Sequence, residues 1–114
     1  MKLILSIILL AACCHAEIVT VTAYCPCAKC CGKQGQPTAS GKMPVEGVTV
    51  AASRKIPFGT VLQIEGVGRR IVQDRLAKRY DDRVDVFFTK HDDAKKFGIR
   101  KLNVTTVNPS RNKP

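Results

Sequence analysis

The sequence predicts an all-β domain, a small six-stranded barrel with one short helix, and three observations lead to this class. Short runs rich in Val, Ile and Thr alternate apolar with polar residues, which is the period of a half-buried strand. Gly, Pro and Asp separate several of these runs. The chain has only 114 residues, and closing short strands into a barrel buries a modest core without leaving exposed sheet edges.

The predicted elements follow in order along the chain. The first strand covers residues 18–24, with Val19, Val21 and Ala23 facing the core, and a loop rich in Cys, Gly and Lys follows it. One short helix covers residues 90–97, and Gly98 is placed where a helix C-terminal cap is expected. The remaining strands are predicted at residues 48–52, 60–64, 69–74, 83–88 and 99–107.

The N-terminus has the layout of an export signal. Lys2 precedes an apolar run too short to span a bilayer, and small residues follow it. Two cut sites fit this stretch: a lipoprotein-type cut before Cys13, which would be acylated, or an ordinary cut after Ala16. Both predict export to the periplasm or cell envelope, and the first also predicts an anchor in the outer membrane. The predicted organisation is a signal peptide at 1–16, one domain at 17–107 and a flexible tail at 108–114.

The net charge of the chain limits the classes of partner that it is expected to bind. Lys and Arg number 19 against 9 Asp and Glu, for a net charge of +10. A basic exported domain is expected to bind an anionic partner, and the peptidoglycan of the cell wall fits this requirement. Nucleic acid is not expected, since the chain has no Trp, two Tyr and four Phe for base stacking. Membrane contact is expected only through a lipid anchor, and no cofactor is expected.

A cluster of cysteines follows the first predicted strand: Cys25, Cys27, Cys30 and Cys31. Outside the cytoplasm thiols tend to oxidise, which favours two local disulfides. A metal held by thiolates, zinc in the first place, is the competing interpretation, and free thiols are the third. Neither His15 in the signal nor His91 on the predicted helix is an obvious additional ligand. No metal is expected for catalysis.

Two aspartates, Asp74 and Asp85, lie on predicted strands beside apolar residues. Alternation places Asp85 on the face of Phe87, and Asp74 on the face of Val72. Burial and a second nearby carboxylate both raise a carboxyl pKa, and an acid that keeps its proton near neutral pH can protonate a glycosidic oxygen. From the spacing alone, ion pairing with nearby arginines is the favoured alternative. Turns or the first helical turn are expected to hold four other aspartates: Asp81, Asp82, Asp92 and Asp93.

Eight short motifs follow one another along nearly the whole predicted domain. They are Thr22-Ala23-Tyr24-Cys25-Pro26-Cys27, Cys30-Cys31-Gly32, Thr38-Ala39-Ser40-Gly41, Val50-Ala51-Ala52, Ile56-Pro57-Phe58-Gly59-Thr60, Asp74, Asp85-Val86-Phe87-Phe88 and Ala94-x-x-Phe97-Gly98. In this order they resemble the bacterial three-aspartate (3D) domain family, which is similar to the catalytic domain of membrane-bound lytic transglycosylase A and to the rare lipoprotein A group. The resemblance implies a double-psi β-barrel that cleaves the bond between N-acetylmuramic acid and N-acetylglucosamine in cell-wall turnover.

The resemblance also implies roles for single residues. Asp85 matches the third family aspartate, the general acid that protonates the glycosidic oxygen and then takes the proton of the C6 hydroxyl to close a 1,6-anhydro ring. Asp74 matches the second, which would orient the sugar or tune the acid. Ser53 stands where the first aspartate is expected, and it would bind substrate through its hydroxyl without carrying charge. Arg75-Leu76 replaces the Thr-Gly that the family usually has after its second aspartate.

Thr38, Ser40 and Lys42 complete the predicted binding residues. Their segment would line the cleft, where Lys42 would meet a stem-peptide carboxylate; a plain β-turn is the alternative interpretation. The two departures from the family, at Ser53 and Arg75, favour a second hypothesis, in which the domain binds the wall without cleaving it. A third hypothesis is a metal- or redox-active module built on the cysteine cluster.

Overall fold

The computed structural model describes residues 16–27 and 35–107 of the chain. This part contains β1 (Ala16–Tyr24), β2 (Thr49–Ala52), β3 (Val61–Ile64), β4 (Gly68–Arg75), β5 (Val84–Phe87), α1 (His91–Phe97) and β6 (Arg100–Val107). A single 3₁₀ turn, Lys78–Tyr80, precedes β5. The predicted all-β class, its strands and its short helix are confirmed, with bounds that differ by one or two residues. Within the described ranges, no helix has the length and apolar character needed to cross a membrane.

Some predictions fall on residues outside the described part. They concern the signal peptide before Ala16, the lipidation candidate Cys13, the tail at 108–114, and two members of the cysteine cluster, Cys30 and Cys31. These remain predictions.

The strands form a closed barrel in the order β1-β5-β2-β4-β3-β6, which confirms the predicted closure. The pairs β1–β5 and β2–β4 are parallel, and the other four pairs are antiparallel. The pairing pattern is unchanged when β1 is exchanged with β4, β2 with β5 and β3 with β6. The connectivity therefore has an internal two-fold symmetry that relates the first three strands to the last three.

The barrel interior is filled by branched aliphatic side chains, as the alternating pattern predicts. Four of them, one from each of four neighbouring strands, are fully buried: Val21, Val86, Val50 and Val72. Val19 and Ala23 are partly buried and pack against this cluster, so the predicted inner face of β1 is confirmed. Each such side chain contributes about 1.5–3 kcal/mol when fully buried.

Helix α1 packs against β1 and fixes the position of its own first residue, His91. Ala94 and Phe97 are its buried residues, and the Phe97 ring lies 5.7 Å from that of Phe88. Gly98 ends the helix with a φ of 67°, a left-handed value that favours glycine, and confirms the predicted cap. Because its apolar face is anchored, the N-terminus of α1 is held over the end of β1.

A bulge in β4 changes the face on which its last residues point. Val50 pairs with Val72, but the next residue of β2, Ala51, pairs with Asp74, so Gln73 is an extra residue in β4. The extra residue breaks the strict alternation on which the sequence prediction rested. The prediction that Asp74 shares a face with Val72 is therefore wrong: Val72 points into the core, whereas Asp74 lies beside Ala51 on the outside of the barrel.

Candidate active site

Asp74 and Asp85 lie in one row of side chains that crosses four neighbouring strands. Thr22 of β1 pairs with Asp85, Asp85 pairs with Ala51, and Ala51 pairs with Asp74. Directly paired residues point to the same face of a sheet, so all four lie on the outer face of the barrel. Ala51 separates the two carboxylates with a single methyl group, which leaves space between them. The bulge in β4 is what brings Asp74 into this row.

The row forms part of a pocket of about 360 Å³. Both aspartates and Ala51 line it, and Tyr24 and Tyr80 contribute aromatic walls. This volume lies at the lower end of the range for small-molecule sites, which suits a pocket that takes part of a longer ligand. Apolar walls disfavour the charged form of a carboxylate that they surround, and so they can raise its pKa.

Burial raises the pKa of Asp85 to about 6. The hydroxyl of Thr22 donates a hydrogen bond to Oδ1 of Asp85 at 2.9 Å and lowers the pKa in part, the charge of Asp74 raises it further, and Arg83 has a smaller lowering effect. Ion pairing, the alternative that the spacing favoured, would give a lowered pKa instead. Asp85 therefore combines desolvation with a neighbouring carboxylate, the two conditions that keep a proton on a carboxyl group.

Asp74 is held in one orientation by three donors. Its Oδ2 accepts a hydrogen bond from the hydroxyl of Tyr24 at 2.9 Å. Its Oδ1 accepts from the backbone N–H groups of Ala39 and Arg75, both at 2.9 Å. Donors on both oxygens fix the carboxylate beside Asp85, where its charge acts on the neighbouring acid.

The segment 38–42 is a turn that docks against the end of β4. The hydroxyl of Thr38 donates to the carbonyl oxygen of Lys42 at 2.7 Å and lies 2.9 Å from the hydroxyl of Ser40. These predicted binding residues therefore stabilise the turn, and none of the three lines the pocket. The turn reaches the site through the backbone N–H of Ala39, which donates to Asp74.

Ser53 lies apart from the two aspartates of the pocket. Its hydroxyl donates to Oδ2 of Asp81 at 2.8 Å and accepts from the backbone N–H of Lys55 at 3.1 Å. The bond from Ser53 lowers the pKa of Asp81, which lies in a turn as predicted. Ser53 and Asp81 line a second cavity of about 1080 Å³, so Ser53 brings no group to the pocket of Asp85.

The guanidinium of Arg75 binds the loop that follows β2. Its Nη1 donates to the carbonyl oxygens of Ile56 at 2.8 Å and Ser53 at 3.0 Å. Its charged end also lies 3.9 Å from the centre of the Phe58 ring. Arg75 lines the pocket beside Asp74, yet its charge is directed at these carbonyl groups and this ring.

Replacing Arg75 with Ala is expected to lower the free energy of unfolding by about 2–3 kcal/mol. The loop after β2 would lose two charge-assisted hydrogen bonds and the stacking on Phe58. Urea unfolding followed by circular dichroism measures the change. Arg69→Ala, an exposed change on the same strand, should alter the value by no more than about 0.5 kcal/mol. A loss for Arg75→Ala as small as that of the control would contradict the role given to Arg75.

The sequence predicted no functional role for Thr22, Tyr24 or Tyr80, which belong to the site. Thr22 and Tyr24 alternate with the inward-facing Val21 and Ala23, so the polar face of β1 was a signal that could have identified them. The residues around Tyr80 give no signal that it lines the pocket. The 3₁₀ turn that contains Tyr80 brings it there.

The structure describes two of the four cysteines in the cluster, Cys25 and Cys27. The Sγ atoms of Cys25 and Cys27 lie 2.8 Å apart, which exceeds the bond length of about 2.05 Å in a disulfide. Nδ1 of His91 lies 3.4 Å from each of them. His91, which was not an obvious additional ligand in the sequence, therefore lies beside both sulfurs, because α1 places its first residue against the end of β1. Disulfides that involve Cys30 and Cys31 remain predictions.

No protein-family model and no curated protein matches the sequence.

Proposed function

We propose that the chain is a peptidoglycan lytic transglycosylase-like enzyme, with Asp85 as its general acid and base. The observation that carries this proposal is the raised pKa of Asp85, about 6, in a pocket that also holds Asp74. With that pKa, about a tenth of the molecules carry the proton at pH 7. A carboxylic acid with a pKa near the working pH suits glycoside cleavage, in which the leaving oxygen must be protonated.

In the proposed reaction, Asp85 gives its proton to the oxygen between N-acetylmuramic acid and N-acetylglucosamine as the bond from that oxygen to C1 breaks. The C6 hydroxyl of the muramic acid attacks C1, and the carboxylate of Asp85 takes the hydroxyl proton. A 1,6-anhydro ring forms, and no water is consumed. Asp74 raises the pKa of the acid before the first step and stabilises the positive charge that develops on the sugar.

The proposed fold is the double-psi β-barrel of the three-aspartate domain family. Three observations support it: the order of the sequence motifs, the closed six-stranded barrel, and the internal two-fold symmetry of its pairings with two parallel pairs. The proposed place of action is the cell envelope, with the protein either secreted or anchored through Cys13. The full chain has a net charge of +10, and its excess of Lys and Arg would draw the protein to the anionic wall.

A second candidate function is binding to the wall without cleavage, and the position of Ser53 favours it. This residue stands where the family has its first aspartate, and its hydroxyl is bonded to Asp81 in the other cavity. In this case the protein would sediment with insoluble peptidoglycan without dissolving it, and raising the salt concentration would release it because charge would dominate binding.

The dependence of the rate on pH tests the proposed acid. We expect the clearing of a peptidoglycan suspension to slow as the pH rises through about 6, because the protonated fraction of Asp85 falls. Well above that pH, the rate should drop about tenfold for each pH unit. Clearing rates measured from pH 4 to pH 9 at constant ionic strength would show this limb. No clearing at any pH, with the protein bound to the pellet, would favour the second candidate.

Replacing Tyr24 with Phe is expected to lower the rate of cleavage about tenfold. The change removes the hydroxyl that donates to Asp74 but keeps the ring that packs on Phe87 at 5.3 Å. The free energy of unfolding should therefore change by only about 1 kcal/mol. Initial rates of muropeptide release measure the effect on catalysis, and urea unfolding supplies the structural control. A rate within twofold of the unchanged protein would contradict the positioning role of Tyr24.

A further inference from the structure

A second cluster of reactive side chains lies where β1 ends and α1 begins. Cys25 directly follows β1, Cys27 comes two residues later, and His91 is the first residue of α1. The two Sγ atoms and Nδ1 of His91 all lie within 4.8 Å of one another. None of the three residues lines the pocket of Asp74 and Asp85, so the cluster is distinct from the proposed catalytic site.

The distances in this cluster can be compared with those of a tetrahedral zinc site. Zinc binds thiolate sulfur at about 2.3 Å and imidazole nitrogen at about 2.0–2.1 Å, so a sulfur and a nitrogen ligand lie about 3.5 Å apart and two sulfurs about 3.8 Å apart. The observed distance from Nδ1 of His91 is 3.4 Å to each sulfur. The sulfurs of Cys25 and Cys27 are 2.8 Å apart and would separate by about 1 Å on binding. Cys27 is only half-buried and can turn outward to allow this.

The packing of α1 against the end of β1 places the three side chains close together. Cys25 is fully buried. The residue before it, Tyr24, accepts a backbone hydrogen bond from Phe88 at 2.8 Å, which places the end of β1 beside the segment that leads into α1. Two soft thiolates with one imidazole are the ligand set that zinc prefers, whereas a disulfide would make no use of an imidazole equally distant from both sulfurs.

We propose that Cys25, Cys27 and His91 bind a zinc ion with a structural role. Both thiols give up their protons on binding, and the neutral imidazole binds through Nδ1. Cys30 and Cys31 lie outside the described residues, so the three-ligand site is defined without them. The ion would join the end of β1 to the start of α1, between residues 66 positions apart in the sequence. Since Tyr24 immediately precedes Cys25, the site would also hold the tyrosine that orients Asp74.

Metal analysis and cobalt substitution test the site on the full chain, purified with a non-chelating reductant. We expect about one zinc per chain and a fall in the thermal midpoint when a strong chelator removes it. Cobalt(II) added to the zinc-free protein should give a thiolate-to-metal absorption band in the near ultraviolet and the strong visible bands of tetrahedral coordination. Cys27→Ser and His91→Ala should each lower the affinity for zinc about 100-fold or more. Asp92→Asn, an exposed change beside His91, should leave the affinity unchanged.

Three results would overturn the site. One is purified protein without zinc whose cobalt spectrum lacks the thiolate band. Another is a disulfide between Cys25 and Cys27 in protein kept under reducing conditions throughout. The third is a His91→Ala variant that binds zinc as tightly as the unchanged chain. The cobalt spectrum is recorded on the unchanged protein, so a variant that fails to fold does not remove the test.

Discussion

Replacing Asp85 with Asn is expected to lower the rate at which the protein releases soluble fragments from peptidoglycan by a factor of about 10²–10⁴. An asparagine has the shape of the aspartate, and its oxygen can still accept the hydrogen bond from Thr22. It cannot give a proton to the glycosidic oxygen or take one from the C6 hydroxyl. The loss therefore isolates proton transfer from binding, and initial rates of fragment release measure it.

Asp92→Asn is the matched control for this change. It removes the same charge from an exposed position in the first turn of α1, away from the pocket. Its rate should equal that of the unchanged protein. If Asp85→Asn kept more than about a third of the original rate, Asp85 would not be the acid.

The same Asp85→Asn variant is expected to be more stable than the unchanged protein at pH 8, by up to about 3 kcal/mol. Folding raises the pKa of Asp85 from 3.8 to about 6, because burial disfavours the charged form. The stability that neutral Asp85 contributes is complete below about pH 4, and it is lost as the pH rises through about 6. Asparagine is neutral at every pH and so removes this loss.

Urea unfolding at pH 4 and at pH 8 measures the effect on stability. The variant and the unchanged protein should differ little at pH 4, and the variant should gain stability at pH 8. Equal stability at both pH values would mean that the carboxyl of Asp85 is not desolvated in the folded protein. A gain in stability together with a loss of activity is what a residue retained for catalysis should show.

The strands and their core could be predicted from the sequence because their signal is local. The alternation that places Val21 inside and Thr22 outside needs only a few consecutive residues. The end of α1 at Gly98 could be predicted for the same reason. A glycine in a left-handed conformation ends a helix whatever the helix packs against.

The bulge in β4 could not be predicted from alternation. The extra residue, Gln73, arises from the pairing of β4 with β2, and the turn at 38–42 docks on its carbonyl group through Ser40. A single inserted residue moves Asp74 to the outside of the barrel. Asp74 and Asp85 therefore lie in one pocket, as expected from the sequence. The shift in strand register that places them there cannot be read from the alternation of residues along a strand.

The positions of His91 and Ser53 also could not be predicted from the sequence, because both depend on contacts between distant parts of the chain. His91 is 66 positions from Cys25 in the sequence, and only the docking of α1 on β1 brings them together. Ser53 directly follows β2, whose Ala51 lies between the two aspartates, yet its hydroxyl is bonded to Asp81 in the other cavity. From sequence position alone, Ser53 was expected to share the site of the aspartates, and His91 was not an obvious partner of the cysteines. The packing of the chain gives the opposite arrangement in both cases.

Mass analysis of the soluble products from purified peptidoglycan tests the proposed reaction most directly. We expect fragments that end in 1,6-anhydro-muramic acid, one water molecule lighter than hydrolysis products, and we expect none of them with Asp85→Asn. Fragments that carry the added water would contradict attack by the C6 hydroxyl. Intact peptidoglycan with the protein bound to it would contradict catalysis altogether.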